Sequence, residues 1–135
     1  EIMQRMKAGM FGVTSEGGGT AYRSGDLGLG GPRLAGKTGT AQVRRITKAE
    51  RDKGVRKGLD IERELRDHAL FVAYAPADDP KYAIAVVVEH GEGGSSTAAP
   101  LARDILHFAL KNDSRRKAVY GKTASITPAG SGEPT

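Results

Sequence analysis

Cysteine and tryptophan are absent from this chain, and aromatic residues are scarce. With no cysteine among its 135 residues, the chain can form neither a disulfide nor a thiolate metal site, and this absence suits a reducing or an oxidising compartment equally. No run approaches the roughly 20 apolar residues that a membrane-spanning helix needs. The first residues also lack the order of a signal peptide. We therefore expect any export signal or membrane anchor to lie outside this chain.

Acidic residues are outnumbered by basic ones, which gives a net charge of +5 and a pI near 9.6. A nucleic-acid binder would also need aromatic side chains interleaved with the basic ones as stacking platforms. Most Lys and Arg instead fall in residues 44–66 and 115–122, which have the composition of solvated segments. We therefore predict no nucleic-acid partner. The basic connection over residues 44–66 keeps open another class, a noncatalytic interaction module that docks an acidic partner.

Apolar spacing predicts two main helices. Residues 2–10 have helical spacing, and we expect Gly9 to end this helix. Residues 97–112 combine a cap, a proline in the first turn and a long apolar stripe. Glycine dominates residues 12–31, which predicts a loop. The charged connection is expected to contain a short helix over residues 60–65.

Two apolar runs, ALFVAYA at residues 69–75 and YAIAVVV at residues 82–88, are joined by the turn-forming PADDPK. They predict a β-hairpin. Because neither run alternates apolar with polar residues, we expect helices to cover both faces of the sheet. With a third strand over residues 34–43, the predicted fold class is α+β, an antiparallel sheet flanked by helices.

The stretch GPRLAGKTGTAQV carries two signatures at once. Its first eight residues match the Gly-x-x-x-x-Gly-Lys-Thr pattern of phosphate-binding loops, whereas Lys37, Thr38 and Gly39 spell the Lys-Thr-Gly box of penicillin-reactive serine enzymes. A phosphate loop needs a buried strand before its first glycine and a helix that begins at Gly-Lys-Thr. The flanking residues favour neither element. A nucleotide binder therefore remains the weaker alternative.

As a strand, the same stretch presents an edge whose backbone can be approached, because Gly36 and Gly39 carry no side chain. Such an edge can pair with an extended peptide through main-chain hydrogen bonds. Thr38 and Thr40 lie two residues apart and therefore share a face. Lys37 begins on the other face, and its long side chain must curl round to reach the same cleft.

AGKTGTAQV, followed by DHALFVAYAP, YAIAVVVEHG and a helix, resembles the C-terminal part of the transpeptidase domain of class B penicillin-binding proteins. GMFGV, GGGTAYR and RDHALFVAYAP are most similar to the elongation type, penicillin-binding protein 2. The resemblance implies a serine β-lactamase-like fold. It divides the chain into a transpeptidase segment, residues 1–112, and a basic, then Gly/Pro/Ser-rich tail, residues 113–135.

The resemblance implies acyl transfer, in which a serine attacks the D-alanyl-D-alanine end of a peptidoglycan stem peptide and β-lactams are trapped at the acyl stage. It implies catalytic roles for Lys37, which supplies positive charge, and for Thr40, whose amide forms half of the oxyanion hole. The hydroxyls of Thr38 and Thr40 would bind the substrate carboxylate, and Gly39 would leave room for the reacting carbonyl. No cofactor and no metal are implied.

The resemblance also implies two further boxes, and neither precedes Lys37. No Ser-x-x-Lys box stands before it, and the chain has no Ser-x-Asn box. We therefore predict that the chain lacks the nucleophilic serine, belongs to a longer enzyme and is inactive alone. Its expected partners are the rest of its own transpeptidase domain, the stem peptide, β-lactams and a membrane glycosyltransferase of the elongation machinery. The implied location is the bacterial inner membrane, with the catalytic domain in the periplasm.

Three histidines and two glutamates are the remaining candidates for site residues. His68, His90 and His107 show no spacing that recurs among metal ligands, so we expect structural roles for them. Glu89 and Glu92 stand at a predicted strand end and in the glycine-rich loop after it. Carboxylates in such places are typically solvated or capping groups rather than an acid and a base.

Overall fold

The computed structural model describes residues 1–56 and 60–113. Three strands form one antiparallel sheet in the order β1-β2-β3, namely β1 (Ala35–Ala41), β2 (His68–Ala75) and β3 (Tyr82–Val88). The helices are α1 (Ile2–Ser15), α2 (Lys48–Lys53) and α3 (Ala99–Asn112), with a π-helical turn, Gly94–Ala98, directly before α3. The predicted α+β fold is confirmed, and the predicted strand bounds differ from the observed ones by two residues or fewer.

One face of the sheet carries the core. Alternate residues of β2 on this face are buried, namely Ala69, Phe71, Ala73 and Ala75. Helix α3 packs against it with residues at helical spacing that are also buried, namely Ala102, Leu106 and Leu110. Phe71 is among the largest fully buried side chains. Because its neighbours on β2 are alanines, the helix can approach the sheet closely around this single ring.

The centre of the opposite face remains open. Val72 exposes 46% of its surface and Val87 exposes 62%, and both lie on the face opposite Phe71 because side chains alternate along a strand. The prediction that helices cover both faces is therefore wrong for the described residues. Helix α3 has a second apolar stripe that is also exposed, at Leu101, Ile105 and Phe108.

Helix α1 continues past Gly9 to Ser15, so the prediction that Gly9 ends it is wrong. A Cβ placed on Gly9 would meet nothing within 4 Å. Gly9 therefore destabilises the helix mainly through the conformational entropy that glycine loses on folding. Tertiary contacts hold the last turn, where Thr14 Oγ1 donates to the Leu34 carbonyl oxygen at 2.7 Å. Val13 packs against the core beside it. These contacts outweigh the poor helix propensity of glycine.

The connection between β1 and β2, which we call the insert (residues 42–67), contains one helix that was not predicted. The cap of α2 is Thr47, whose Oγ1 accepts the N–H of Glu50 at 3.3 Å. The continuous helix predicted over residues 60–65 does not form, and Arg63–Leu65 make a single 3₁₀ turn there. The insert is therefore held by local caps and side-chain contacts, and none of the residues of α2 is buried.

Helix α3 ends at Asn112 as predicted. Asp113, the first residue of the predicted tail, is buried and accepts a hydrogen bond from the Tyr82 hydroxyl at 3.0 Å. The rest of the predicted tail, residues 114–135, lies outside the described residues. Within residues 1–56 and 60–113, no helix has the length and apolar character needed to cross a membrane.

Candidate active site

The four predicted site residues, Lys37 to Thr40, all lie on β1, which is an edge strand of the sheet. Within the described part of the chain, β1 pairs only with β2, so its other edge is open. The approachable edge that the glycines predicted is therefore present. Gly36, Lys37 and Thr38 lie inside a strand and not at the start of a helix, so the phosphate-loop alternative is wrong.

Lys37 lies on the open face of the sheet, directly across from Val72 of β2. Its side chain is exposed, and its Nζ donates to the carbonyl oxygen of Thr38 at 3.0 Å. The ammonium thus curls back to the strand's own backbone, and that it reaches the cleft beside Thr38 and Thr40 stays a prediction. This position leaves a positive charge next to the backbone of β1.

Thr38 and Thr40 lie on the other face, where they pair with Phe71 and Ala69 of β2. The Oγ1 of Thr38 is 3.3 Å from the Oγ1 of Thr20, which comes from the glycine-rich loop. Thr20 was not predicted as a site residue, and its only signal in the sequence is its place within GGGTAYR. The structure therefore gathers three hydroxyls along this side of the strand, two from β1 and one from the loop.

The glycines near the site are explained by close packing. A Cβ on Gly36 would lie 2.5 Å from Phe71 Cζ, and one on Gly39 would lie 3.3 Å from Leu70 Cβ. The π-helical turn approaches just as closely, because a Cβ on Gly94 would lie 2.5 Å from the carbonyl oxygen of Leu70 and 2.7 Å from that of Gly39. That Gly39 leaves room for a reacting carbonyl stays a prediction.

The loop that carries Thr20 is tied to the end of α1 by Arg33. Arg33 Nε donates to Ser15 Oγ at 2.9 Å, and its Nη2 donates to the Thr14 carbonyl oxygen at 2.8 Å. The guanidinium carbon also lies 5.9 Å from the centre of the Tyr22 ring, within cation–π distance. Arg33 therefore fixes the path by which the loop reaches the site strand.

Each histidine contacts a backbone group, in keeping with the expected structural roles. His68 Nδ1 accepts the backbone N–H of His90 at 2.9 Å, and His90 Nδ1 lies 3.1 Å from the Arg66 carbonyl oxygen. His107 Nδ1 lies 2.7 Å from the Leu27 carbonyl oxygen. These contacts join the end of β3 to the start of β2, and α3 to the glycine-rich loop.

Glu92 is engaged in this junction too. Its backbone N–H donates to the Asp67 carbonyl oxygen at 2.8 Å, and its Oε1 lies 3.8 Å from Arg66 Nε. Glu92 has φ 65 and His90 has φ 57, values in the left-handed region that non-glycine residues seldom occupy. The tight turn after β3 is therefore fastened to the end of the insert, directly before β2.

An ion pair orders the insert where it leaves β1. Arg44 binds Glu50 through two hydrogen bonds of 2.6 Å and 2.9 Å, and only 17% and 19% of the two side chains are exposed. This hydrogen-bonded pair raises the pKa of Arg44 and lowers the pKa of Glu50. Asp67 Oδ1 accepts the N–H of Val43 at 3.1 Å and so fastens the far end of the insert beside it.

One Ser-x-x-Lys pattern does occur in the sequence, at Ser114 and Lys117. It follows Lys37 in the chain, whereas the family resemblance places the serine box before Lys-Thr-Gly, and it lies outside the described residues. The expected lack of a nucleophile therefore depends on the order of the boxes, and Ser114 needs a direct test.

The penicillin binding protein transpeptidase domain family matches residues 1–107. The chain belongs to this family. The match includes the whole of β1 and all four predicted site residues.

Relatives of the PBP2/MrdA type are among the proteins that this transpeptidase chain matches, as the resemblance predicted. It is 43% identical over 104 residues to peptidoglycan D,D-transpeptidase MrdA of Haemophilus influenzae, covering 77% of this chain and 15% of the relative. It is 36% identical over 107 residues to MrdA of Escherichia coli, covering 79% and 16%. The chain thus spans about one sixth of the length of these relatives.

Solved structures agree with the fold. The Pseudomonas aeruginosa PBP2 structure in complex with WCK 5153 superposes with a TM-score of 0.60 and 37% identity, over 82% of this chain and 19% of that one. PBP2 from Helicobacter pylori, in a complex with MreC, gives a TM-score of 0.56 and 37% identity, over 79% of this chain and 17% of that one. The penicillin-binding transpeptidase fold is therefore shown for most of this chain.

Proposed function

We propose that this chain is the C-terminal part of a peptidoglycan D,D-transpeptidase that cross-links stem peptides through a serine acyl-enzyme and is acylated by β-lactams. One observation carries the proposal, the display of Lys37, Thr38, Gly39 and Thr40 on an open strand edge. The names of the relatives as peptidoglycan D,D-transpeptidases support the reaction class.

The strand edge has the groups that acyl transfer to and from a peptide carbonyl requires. A peptide laid along β1 would have its terminal carboxylate near the hydroxyls of Thr38 and Thr40, which share a face. The ammonium of Lys37 would add positive charge from the other side of the strand. The backbone N–H of Thr40 would donate to the oxyanion that forms when the serine attacks.

The exposed apolar surfaces support a larger domain around this chain. Val72 and Val87 on the open face of the sheet, and the second stripe of α3, are large apolar side chains that are exposed in groups, and such groups mark surfaces that another part of a protein covers. We propose that the rest of the same transpeptidase domain covers these surfaces and brings the nucleophilic serine to the open edge of β1.

Location and assembly follow as proposals. We place the complete protein in the bacterial inner membrane, with its catalytic domain in the periplasm, where stem peptides are joined. The Helicobacter pylori relative forms a complex with MreC, which supports a place for the complete protein in a larger assembly. We propose that this assembly also includes a membrane glycosyltransferase of the elongation machinery.

The first test is Lys37→Ala in the complete enzyme. We expect acylation by a fluorescent penicillin to slow by about 10² to 10³, the usual effect of removing one preorganised donor or charge. Lys48→Ala is the matched control, because Lys48 is an exposed lysine at the start of α2 and lies outside the site. An acylation rate that Lys37→Ala leaves unchanged would contradict the role of this lysine.

The second test uses the 135-residue chain alone. We expect no covalent label from a fluorescent penicillin, because the nucleophile comes from the rest of the domain. A stoichiometric label that disappears in Ser114→Ala would show that the serine box lies in this chain and that the predicted inactivity is wrong. The complete protein must label in the same assay, and its failure to do so would favour the noncatalytic interaction module.

A further inference from the structure

Thr20 brings a hydroxyl to β1 from the glycine-rich loop. Its Oγ1 lies 3.3 Å from the Oγ1 of Thr38, and either hydroxyl can be the donor of this contact. Thr20 is exposed and Thr38 is half-buried, so the pair lies at the surface of the site strand. A ligand that reaches the hydroxyl of Thr38 therefore meets a group that is already in contact with a second hydroxyl.

The backbone on both sides of Thr20 is held against α1. The Ala21 N–H donates to the Val13 carbonyl oxygen at 3.0 Å, and Ala21 is buried. A Cβ on Gly19 would overlap the same Val13 oxygen, so a larger residue before Thr20 would push the loop away from the helix. Because its two neighbours in the chain are fixed in this way, Thr20 presents its hydroxyl from a defined position.

Further along, the same loop is fastened to the last turn of α1. Gly25 packs so closely on the Thr14 carbonyl oxygen that a Cβ there would overlap it, and Arg33 donates to this oxygen at 2.8 Å. The side chain of Thr14 is buried and donates to the carbonyl oxygen of Leu34, the residue directly before β1. The end of α1 therefore sets the loop and the site strand relative to each other.

The hydrogen-bonding capacity of a hydroxyl sets the direction of the contact when a carboxylate is bound. A threonine hydroxyl has one proton to donate and two lone pairs that accept, whereas an ionised carboxylate only accepts. When Thr38 donates its proton to a carboxylate, only its lone pairs remain for Thr20. Thr20 must then be the donor, and the hydrogen bonds run from Thr20 to Thr38 and from Thr38 to the carboxylate.

This direction has two consequences for Thr38. Because Thr20 donates to its oxygen, the proton of Thr38 turns away from Thr20 and is available to the ligand. Donation into Thr38 also polarises its O–H bond, since consecutive hydrogen bonds strengthen one another. In the opposite direction, Thr38 would spend its only proton on Thr20 and would have none for the carboxylate.

We propose that Thr20 is a positioning residue of the transpeptidase site, whose hydroxyl donates to Thr38 Oγ1 and so directs the Thr38 proton to the terminal carboxylate of the bound peptide or β-lactam. The inference rests on the proposed function, because that function assigns the carboxylate to Thr38. It gives the glycine-rich loop a task in substrate binding, which Thr20 performs through Thr38 without touching the substrate itself.

The test compares benzylpenicillin with its methyl ester on the complete protein. Both contain the same β-lactam ring, but only the free acid has a carboxylate. The acylation rate of each is measured by how fast it blocks labelling by a fluorescent penicillin. Thr20→Val keeps the shape of the side chain and removes its hydroxyl. We expect this change to lower the rate with the free acid about fivefold, the usual effect of one hydrogen bond, and to alter the rate with the ester by less than about twofold.

Two control variants and a double variant locate the effect. Thr20→Ser keeps the hydroxyl and should keep the wild-type ratio of the two rates. Thr47→Val removes the hydroxyl of another exposed threonine, which caps α2 outside the site, and should also leave the ratio unchanged. Because Thr20 acts through Thr38, Thr20→Val should lower the rate with the free acid no further when Thr38→Val is already present.

The outcomes separate this inference from the proposed function. An acid-to-ester ratio that Thr20→Val leaves unchanged, whether both rates fall or neither does, would overturn the positioning role. A loss that persists undiminished in the presence of Thr38→Val would overturn the action through Thr38. Failure of the complete wild-type protein to label with the fluorescent penicillin would instead contradict the proposed function itself.

Discussion

The two ends of β1 differ sharply in their surroundings. At its beginning, Ala35 and Gly36 are buried, and the ring of Phe71 fills the space above Gly36. At its end, Thr40 and Ala41 are exposed, and the neighbouring structure is the charged insert. One strand of seven residues therefore passes from tight core packing to an open, polar groove.

The contrast shows how an exposed strand edge, which we propose binds a peptide, can keep a defined shape. The buried half of β1 is fixed by packing, and the exposed half continues the same strand, so its hydroxyls occupy set positions without being buried themselves. Changes at the buried half should therefore affect stability strongly. Changes at the exposed half should act on binding and on local order.

The largest expected effect comes from Phe71→Ala. Removing this buried ring from the face shared with β1 should lower the free energy of unfolding by about 3–5 kcal/mol. Urea denaturation of the complete protein, followed by circular dichroism, measures the loss. Val43→Ala is the control, because Val43 is a partly exposed valine just after the end of β1, and its effect should be well below that of Phe71→Ala. Equal losses would contradict the contrast between the two ends of β1.

A smaller effect is expected from Gly94→Ala, which tests how the π-helical turn holds the middle of β1. The new Cβ would lie 2.5 Å and 2.7 Å from the carbonyl oxygens of Leu70 and Gly39, so the backbone must shift. We expect a loss of about 1–3 kcal/mol in unfolding free energy and a slower acylation by penicillin.

The matched glycine is Gly9 in α1, where a Cβ would meet nothing within 4 Å. Gly9→Ala should stabilise the helix by about 0.5–1 kcal/mol, because alanine loses less conformational entropy than glycine. If Gly94→Ala behaved like Gly9→Ala, the close approach of the turn to the site strand would not constrain it.

The sequence predicted the elements whose signals are local. The hairpin could be located from two apolar runs and a turn, and α3 from its apolar stripe and its proline. Helix α2 was missed although Thr47 and Glu50 form a Thr-x-x-Glu capping signal that could have revealed it. The charge of the surrounding segment had suggested an irregular connection.

Other features depend on residues far apart in the chain. The true end of α1 depends on the bond from Thr14 to Leu34, and the site hydroxyl of Thr20 depends on the path of the glycine-rich loop. No residue spacing in the sequence predicts such long-range contacts. The prediction that helices cover both sheet faces was wrong for a related reason. Apolar strands show that a sheet face needs a packing partner, but they do not show which part of the protein supplies it.

The Thr47 cap offers a modest test at the exposed end. Thr47→Ala removes the acceptor for the N–H of Glu50 and should destabilise α2 by about 1 kcal/mol. Amide exchange in residues 48–53 measures this local loss. Exchange in β2 reports on the core and should remain slow, since none of the residues of α2 is buried.

The smallest expected effect is a pH dependence of the insert, which comes from the pair of Arg44 and Glu50. Because this pair lowers the pKa of Glu50 below its ordinary value of 4.5, its stabilisation is present above that pH and is lost as the pH falls through the folded value. Amide exchange in the insert should therefore be faster in Glu50→Gln than in the wild type at pH 7, and the two proteins should converge as the pH falls through the folded pKa of Glu50, which lies below 4.5. Glu64→Gln is the control, an exposed glutamate of the same insert that should match the wild type at both pH values. A difference between the wild type and Glu50→Gln that persists in acid would mean that the charge of Glu50 does not order the insert.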